Sequence, residues 1–148
     1  MIGVVVVTHG QLATELVNAT ETIVGDLPRF AAVSIGWHED TADAREEIAQ
    51  AIARVDQGQG VLILTDMFGG TPCNLAMTFL AENKIEVITG VNVPMLIKLS
   101  GLKEQSELLS VAREMREHGR HAIWVASDLL RGDGATREGR DERKGREE

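Results

Sequence analysis

Apolar residues in this chain fall into short unbroken runs, separated by longer stretches in which they recur every three or four positions. Ile2 to Val7 is almost wholly apolar and rich in β-branched valine, the pattern of a strand buried on both faces of a parallel sheet. Shorter runs of the same kind stand at Phe30 to Ile35, Val61 to Leu64 and Ile85 to Ile88. Between the first two runs, Leu12, Leu16, Ile23 and Val24 are predicted to share one helical face, with Gly25 ending the helix. After the second run, Ala44, Ile48, Ala51, Ile52 and Val55 follow three-and-four spacing, and Asp40 or Thr41 is placed to cap the start. Thr71-Pro72 reads as an N-cap followed by a first-turn proline, opening a helix that runs to about Leu80. A short turn is expected around Pro94 to Leu99, and Leu108, Val111, Ala112 and Met115 form a further apolar helical face that ends near Gly119. Ala122 to Ala126 is predicted to be a last strand. Strands alternating with helices give an α/β fold, doubly wound around a mainly parallel four-stranded sheet.

Composition places limits on this picture. With 148 residues, 43% of them hydrophobic, the chain suits one globular domain, expected over residues 1 to 130. Residues 131 to 148 hold six basic and six acidic side chains and almost nothing apolar, so a disordered charged tail is predicted there. The formal net charge of −8 therefore belongs to the body, which would repel a nucleic-acid backbone, and no nucleic-acid partner is expected. No apolar stretch approaches the roughly 18 to 20 residues that cross a bilayer, and Met1-Ile2-Gly3 lacks the basic start of a secretory signal, so a cytoplasmic protein is expected. The single cysteine, Cys73, agrees with a reducing compartment.

Reactive groups in a doubly wound sheet collect just beyond the carboxyl ends of the strands. Thr8-His9-Gly10 stands there after the first strand, bringing an imidazole close to the start of the first helix. Neutral histidine is nucleophilic near physiological pH, and the partial positive charge of a helix N-terminus favours a phosphoryl group attached beside it. Asp66-Met67-Phe68-Gly69-Gly70-Thr71-Pro72 follows the third strand, the neighbour of the first in the common strand order of such sheets. Asp66 is thus placed to bind one ring nitrogen of His9 and leave the other as the lone-pair donor. Gly69 and Gly70 can offer successive backbone N–H groups to phosphoryl oxygens, and the Thr71 hydroxyl adds another donor.

These segments resemble the mannose-type enzyme IIA domains of the bacterial phosphoenolpyruvate-dependent sugar phosphotransferase system. That family carries Thr-His-Gly or Ser-His-Gly after the first strand, Asp-x-x-Gly-Gly-Thr/Ser-Pro after the third, and Gly-Val-Asn-x-Pro-Met-Leu after the fourth. The counterparts here are Thr8 to Gly10, Asp66 to Pro72 and Gly90 to Leu96, and the similarity runs over roughly residues 1 to 127. The resemblance implies a phosphohistidine carrier in which His9 takes phosphoryl from the phosphocarrier HPr and gives it to a IIB component, with Asp66 orienting the ring. It implies phosphate-side positions at Gly69, Gly70 and Thr71, no cofactor, and only indirect dealings with the IIC and IID membrane components. It also implies a homodimer in which the C-terminal antiparallel strand, the segment Ala122 to Ala126, is exchanged between copies. Many relatives have phenylalanine where Cys73 stands, and several carry a linker to a fused IIB domain, so the IIB partner here is expected on a separate chain. The alternative is a phosphorylation-dependent regulator or adaptor without onward transfer.

Other readings of the same residues carry less. Cys73 near a helix start would make a Cys-His-Asp set with His9 and Asp66, yet no hydrolase motif surrounds it. His38, in Gly36-Trp37-His38-Glu39-Asp40, reads as a solvated loop residue and not as a metal ligand, and no metal is expected. His118 and His121 suit the C-terminus of the preceding helix. Met67 and Phe68 are either packed in the loop or exposed beside it as a partner contact.

Overall fold

The computed structural model describes residues 1–104 and 106–131. Four strands, β1 (Gly3–His9), β2 (Phe30–Ile35), β3 (Val61–Thr65) and β4 (Ile85–Thr89), form one sheet in the order β2-β1-β3-β4, and every pairing is parallel. Helices α1 (Leu12–Val24), α2 (Thr41–Val55), α3 (Gly70–Met77), α4 (Val93–Ser100), α5 (Leu108–His121) and α6 (Ala126–Arg131) complete the described chain. Arg131 closes α6, and the rest of the expected tail, residues 132 to 148, lies outside the described residues.

β1 explains the two-layered core. Its valines are fully buried and alternate between faces, so Val4 and Val6 join α1, α4 and α5 on one side while Val5 and Val7 join α2 and α3 on the other. Because the chain leaves β1 toward β2 on one side and later reaches β3 on the other, the strand order reverses between β1 and β3. A crevice outside the carboxyl ends of those two strands follows from the topology.

The helices follow the expected pattern with four differences. In α2, Ala44, Ile48, Ala51, Ile52 and Val55 are all buried, and the Asp40 carboxylate caps the helix by accepting from the N–H groups of Ala42 and Asp43. In α1 the buried face is instead Ala13, Val17 and Thr20; Leu16 is half-buried, while Leu12, Ile23 and Val24 face solvent, and Gly25 does end the helix. The buried Thr8 hydroxyl accepts from the Ala13 N–H at 2.6 Å and so rotates the small-residue side of α1 toward the sheet. Helix α3 starts two residues before Thr71-Pro72, with Gly69 at its N-cap, and stops at Met77. Pro94 to Leu99 lies within a full helix, α4, because the Asn92 side chain accepts from the Met95 N–H and nucleates it.

The fourth difference corrects the predicted last strand. Ala122 caps α5, residues 123 to 125 have no regular structure, and the Val125 carbonyl accepts from Asp128 and Leu129 to open α6. A strand exists only where a neighbour completes its ladder. Within one chain α5 delivers this segment near Asn92, whose side chain donates to the Gly119 carbonyl, and among the described residues no strand pairs with it.

Opposite the crevice, Arg29 is buried and its guanidinium donates to the carbonyls of Ile2, Leu99 and Ser100, tying the start of β1 to the C-terminus of α4. Replacing it by methionine keeps the bulk but removes the charged donors to Ile2 and Leu99, the latter keeping only the Leu102 N–H at 3.3 Å, with an expected loss of about 2 kcal/mol in urea unfolding; an unchanged midpoint would refute the clamp. A second prediction concerns Glu47 on α2, whose carboxyl is raised to about 7 by a hydrogen bond with Glu39, by desolvation and by the charges of Glu39 and Asp43. A folded-state value above the unfolded one means that the native chain binds more protons, so this group's contribution to stability falls as pH rises from about 4.5 through about 7. Glu47→Gln should flatten the dependence of melting temperature on pH in that window; an identical slope would contradict the pairing.

Candidate functional site

The crevice at the β1/β3 switch point is built from the backbone outward. β1 is paired with β2 up to His9, opposite Ile35, and the Ile35 carbonyl accepts from the Gly10 N–H at 2.9 Å. On the other side the last β1–β3 pair is Val7 with Thr65, so the two strands part just before Thr8 and Asp66, and His9 follows one residue on. The Thr65 carbonyl accepts from both Gly90 and Val91, fixing the end of β3 against the end of β4. Rigid strands therefore set the positions of both side chains.

Asp66 Oδ2 lies 2.8 Å from His9 Nδ1 and also accepts the backbone N–H of His9 at 3.0 Å. The other carboxylate oxygen accepts from the Met67 N–H. With an ionised carboxylate as its partner, Nδ1 carries the proton and Nε2 bears the lone pair. Burial pushes the Asp66 carboxyl up, but the hydrogen bonds from the His9 ring and backbone outweigh it and hold the group below the ordinary carboxylate range. It is ionised at neutral pH. The side chain of His9 is 51% exposed and that of Asp66 only 14%, so the ring meets solvent while the carboxylate that anchors it is largely covered.

Gly70 lies against the Nε2 side of the ring. A Cβ placed on it would come within 3.0 Å of His9 Cε1 and 3.1 Å of Nε2. Gly69 and Gly70 both have φ near +85°, at 88° and 82°, a conformation that L side chains avoid. The pair turns the chain directly from the Asp66 loop into α3, so the first-turn N–H groups of that helix, which lack intrahelical acceptors, open beside the ring. Thr71 is exposed at the second position of α3.

The other singled-out residues sit apart from this cluster. Cys73 is fully buried, and its thiol is directed at Met77 Sδ at 3.7 Å, which leaves the Cys-His-Asp reading without its nucleophile at the surface. His38 Nε2 accepts from the exposed Trp37 indole N–H. His118 and His121 lie in the last turn of α5. Met67 and Phe68 are exposed, at 54% and 76%, which decides that question against packing in the loop. Among the described residues, no group of three or more His, Cys, Asp or Glu side chains stands together as a metal-ligand set, and no helix is long and apolar enough to cross a membrane. Thr8, read from the sequence only as part of a motif, proves to be the residue that joins the first strand to the first helix beneath His9; a hydroxyl in an otherwise apolar buried run was the signal.

The family model for the PTS system fructose IIA component matches residues 3–115. The chain is 30% identical over 131 residues to the PTS system fructose-specific EIIA component of Bacillus subtilis, covering 88% of this chain and 90% of that protein. It is also 30% identical to the PTS system mannose-specific EIIAB component of Escherichia coli, covering 82% of this chain but 39% of that longer protein. Among solved structures, the mannose/sorbose specific IIA subunit from Enterococcus faecalis superposes with a TM-score of 0.74 at 26% identity, covering 84% of this chain and 93% of that one. A switch-point histidine locked by a carboxylate, on a sheet of this topology, accompanies these matches, and the chain belongs to the mannose/fructose family of phosphotransferase-system IIA components.

Proposed function

We propose that the protein is a phosphohistidine carrier in which His9 Nε2 accepts a phosphoryl group from phosphorylated HPr and passes it to a IIB component on a separate chain during sugar uptake. The observation that carries this reading is the engagement of Nδ1 by Asp66 at 2.8 Å, which directs the free lone pair at Gly70 and the start of α3. Both partners act in the cytoplasm, where this reading places the protein.

The step balances without a cofactor. The Nε2 lone pair forms a bond to phosphorus as the donor's N–P bond breaks, and the electron pair of that bond returns to the donor nitrogen. Nδ1 keeps its proton, so the ring gains positive charge, which the Asp66 carboxylate offsets. The backbone N–H groups of Gly69 and Gly70 and the Thr71 hydroxyl are assigned to the phosphoryl oxygens, where the positive end of α3 favours anionic charge. Transfer to IIB is the same step with the roles reversed. The active form is assigned as a homodimer, in which the exposed apolar segment Ile123-Trp124-Val125 exchanges between copies.

Incubation with phosphoenolpyruvate, enzyme I and HPr should add one phosphoryl group per chain by intact mass, acid-labile and mapped to His9. His9→Ala should abolish labelling and His38→Ala should not; label retained in the His9 variant would overturn the reading. Asp66→Asn preserves a hydrogen bond but not the charge, and should slow exchange with HPr by about tenfold or more in rapid-quench assays. An unchanged rate would remove Asp66 from its role. Gly70→Ala sets a methyl group against Nε2 in a left-handed backbone position. It should slow acceptance by about a hundredfold while costing about 1 to 2 kcal/mol of stability; normal transfer in the folded variant would show that the ring is not reached from that side.

A further inference from the structure

The backbone of His9 is held by side chains at the point where the sheet stops holding it. β1 pairs with β3 only as far as Val7, and beyond that pair the His9 N–H donates to Asp66 Oδ2 while the His9 carbonyl accepts from the Thr8 hydroxyl at 3.2 Å. The same hydroxyl accepts the Ala13 N–H at 2.6 Å, so the chain from Thr8 to Ala13, turning through Gly10 at φ 57°, is closed into one loop. Thr8 is fully buried, and its one proton and one of its lone pairs are both spent on this loop.

A neighbouring hydroxyl shows what is particular to Thr8. Ser34 stands opposite Thr8 in the β1–β2 register, its oxygen accepts the Thr14 N–H at 3.3 Å, and it bonds the Thr14 hydroxyl at 3.0 Å. Gln11, at the N-cap of α1, makes no side-chain bond to the helix, so two strand-borne hydroxyls cap α1 in its place. Both cap the helix. Only Thr8 also bonds the His9 peptide.

The direction of the imidazole follows from the backbone on both sides of its Cα. Asp66 fixes the amide side and Nδ1, whereas the carbonyl side leads straight into the turn that Thr8 closes. Clearance at the other end of the ring is small, since a Cβ on Gly70 would lie 3.1 Å from Nε2. We infer that the Thr8 hydroxyl is a positioning group for phosphoryl acceptance: by holding the carbonyl side of His9 while Asp66 holds the amide side, it aims Nε2 at the start of α3. It acts through His9 and not on the phosphoryl group. The inference rests on the phosphoryl-acceptor reading above and adds a second residue that sets the ring.

The test separates positioning from helix capping. Thr8→Val keeps the branched shape and removes both hydrogen bonds; Ser34→Ala removes the other cap and leaves the His9 peptide alone. Both should lower the melting temperature. With phosphoramidate, a small donor that requires no protein docking, only Thr8→Val should slow His9 labelling per folded chain, by about tenfold, and Thr8→Ser should recover most of the rate. Histidine nitrogen-15 spectra of the unphosphorylated protein give a readout that capping alone does not move. The proton should stay on Nδ1 of His9 in the unmodified chain and in Ser34→Ala, and exchange between the two ring nitrogens in Thr8→Val. If the valine variant is unfolded at the assay temperature, Thr8→Cys carries the comparison, because a thiol fills the space as a weaker partner and should slow labelling in the same direction. A folded Thr8 variant that labels as fast as the unmodified chain with an unchanged His9 tautomer, or a Ser34→Ala variant slowed equally, would reduce Thr8 to a helix cap and leave the acceptor reading standing. Absence of labelling on His9 in the unmodified chain would remove both.

Discussion

One contact organises the chemistry of this protein: the 2.8 Å pairing of His9 Nδ1 with Asp66 Oδ2 across the gap where β1 and β3 part. An unanchored imidazole exchanges tautomers and rotates, so neither nitrogen is reliably a nucleophile. Here the carboxylate takes one ring nitrogen and the backbone N–H of the same residue, which fixes the tautomer and the ring together. The cost of keeping Asp66 partly buried is offset by those two hydrogen bonds, which hold it ionised despite desolvation.

The fold supplies what that contact needs. Fully buried valines alternating along β1 lock the strand between two helical layers, and the β3 register brings Asp66 level with the end of β1. The positions of His9 and Asp66 are thus inherited from the sheet and not from flexible loops. The Asp66–Gly70 loop leaves the sheet, presents Met67 and Phe68 to solvent and returns through two left-handed glycines into α3.

Much of this was readable in the sequence because the strongest signals are local. The valine run of β1, the spacing of Ala44 to Val55 and the strand-end placement of His9 and Asp66 depend on periodicity and topology alone. What failed were faces and boundaries decided by tertiary contacts. Leu12, Ile23 and Val24 outrank Ala13, Val17 and Thr20 in hydrophobicity, yet the Thr8 hydroxyl and the close approach of α1 to the sheet select the smaller residues. Glycines at positive φ begin α3 ahead of its proline, and the closeness of Gly70 to Nε2 is a distance that no one-dimensional pattern contains. Ile123 to Val125 looks like a strand because it is apolar and rich in strand-favouring side chains, but a strand is a property of two chain segments, and the described residues of a single chain do not provide the second.

The most direct test of the account is the chemical identity of the phosphorylated nitrogen. Nitrogen-15 and phosphorus-31 NMR of the protein labelled at histidine, recorded after phosphorylation by phosphoenolpyruvate, enzyme I and HPr, should show phosphorus coupled to Nε2 of His9, with Nδ1 still protonated against Asp66. Phosphorus coupled to Nδ1, or carried on any residue other than His9, would contradict it.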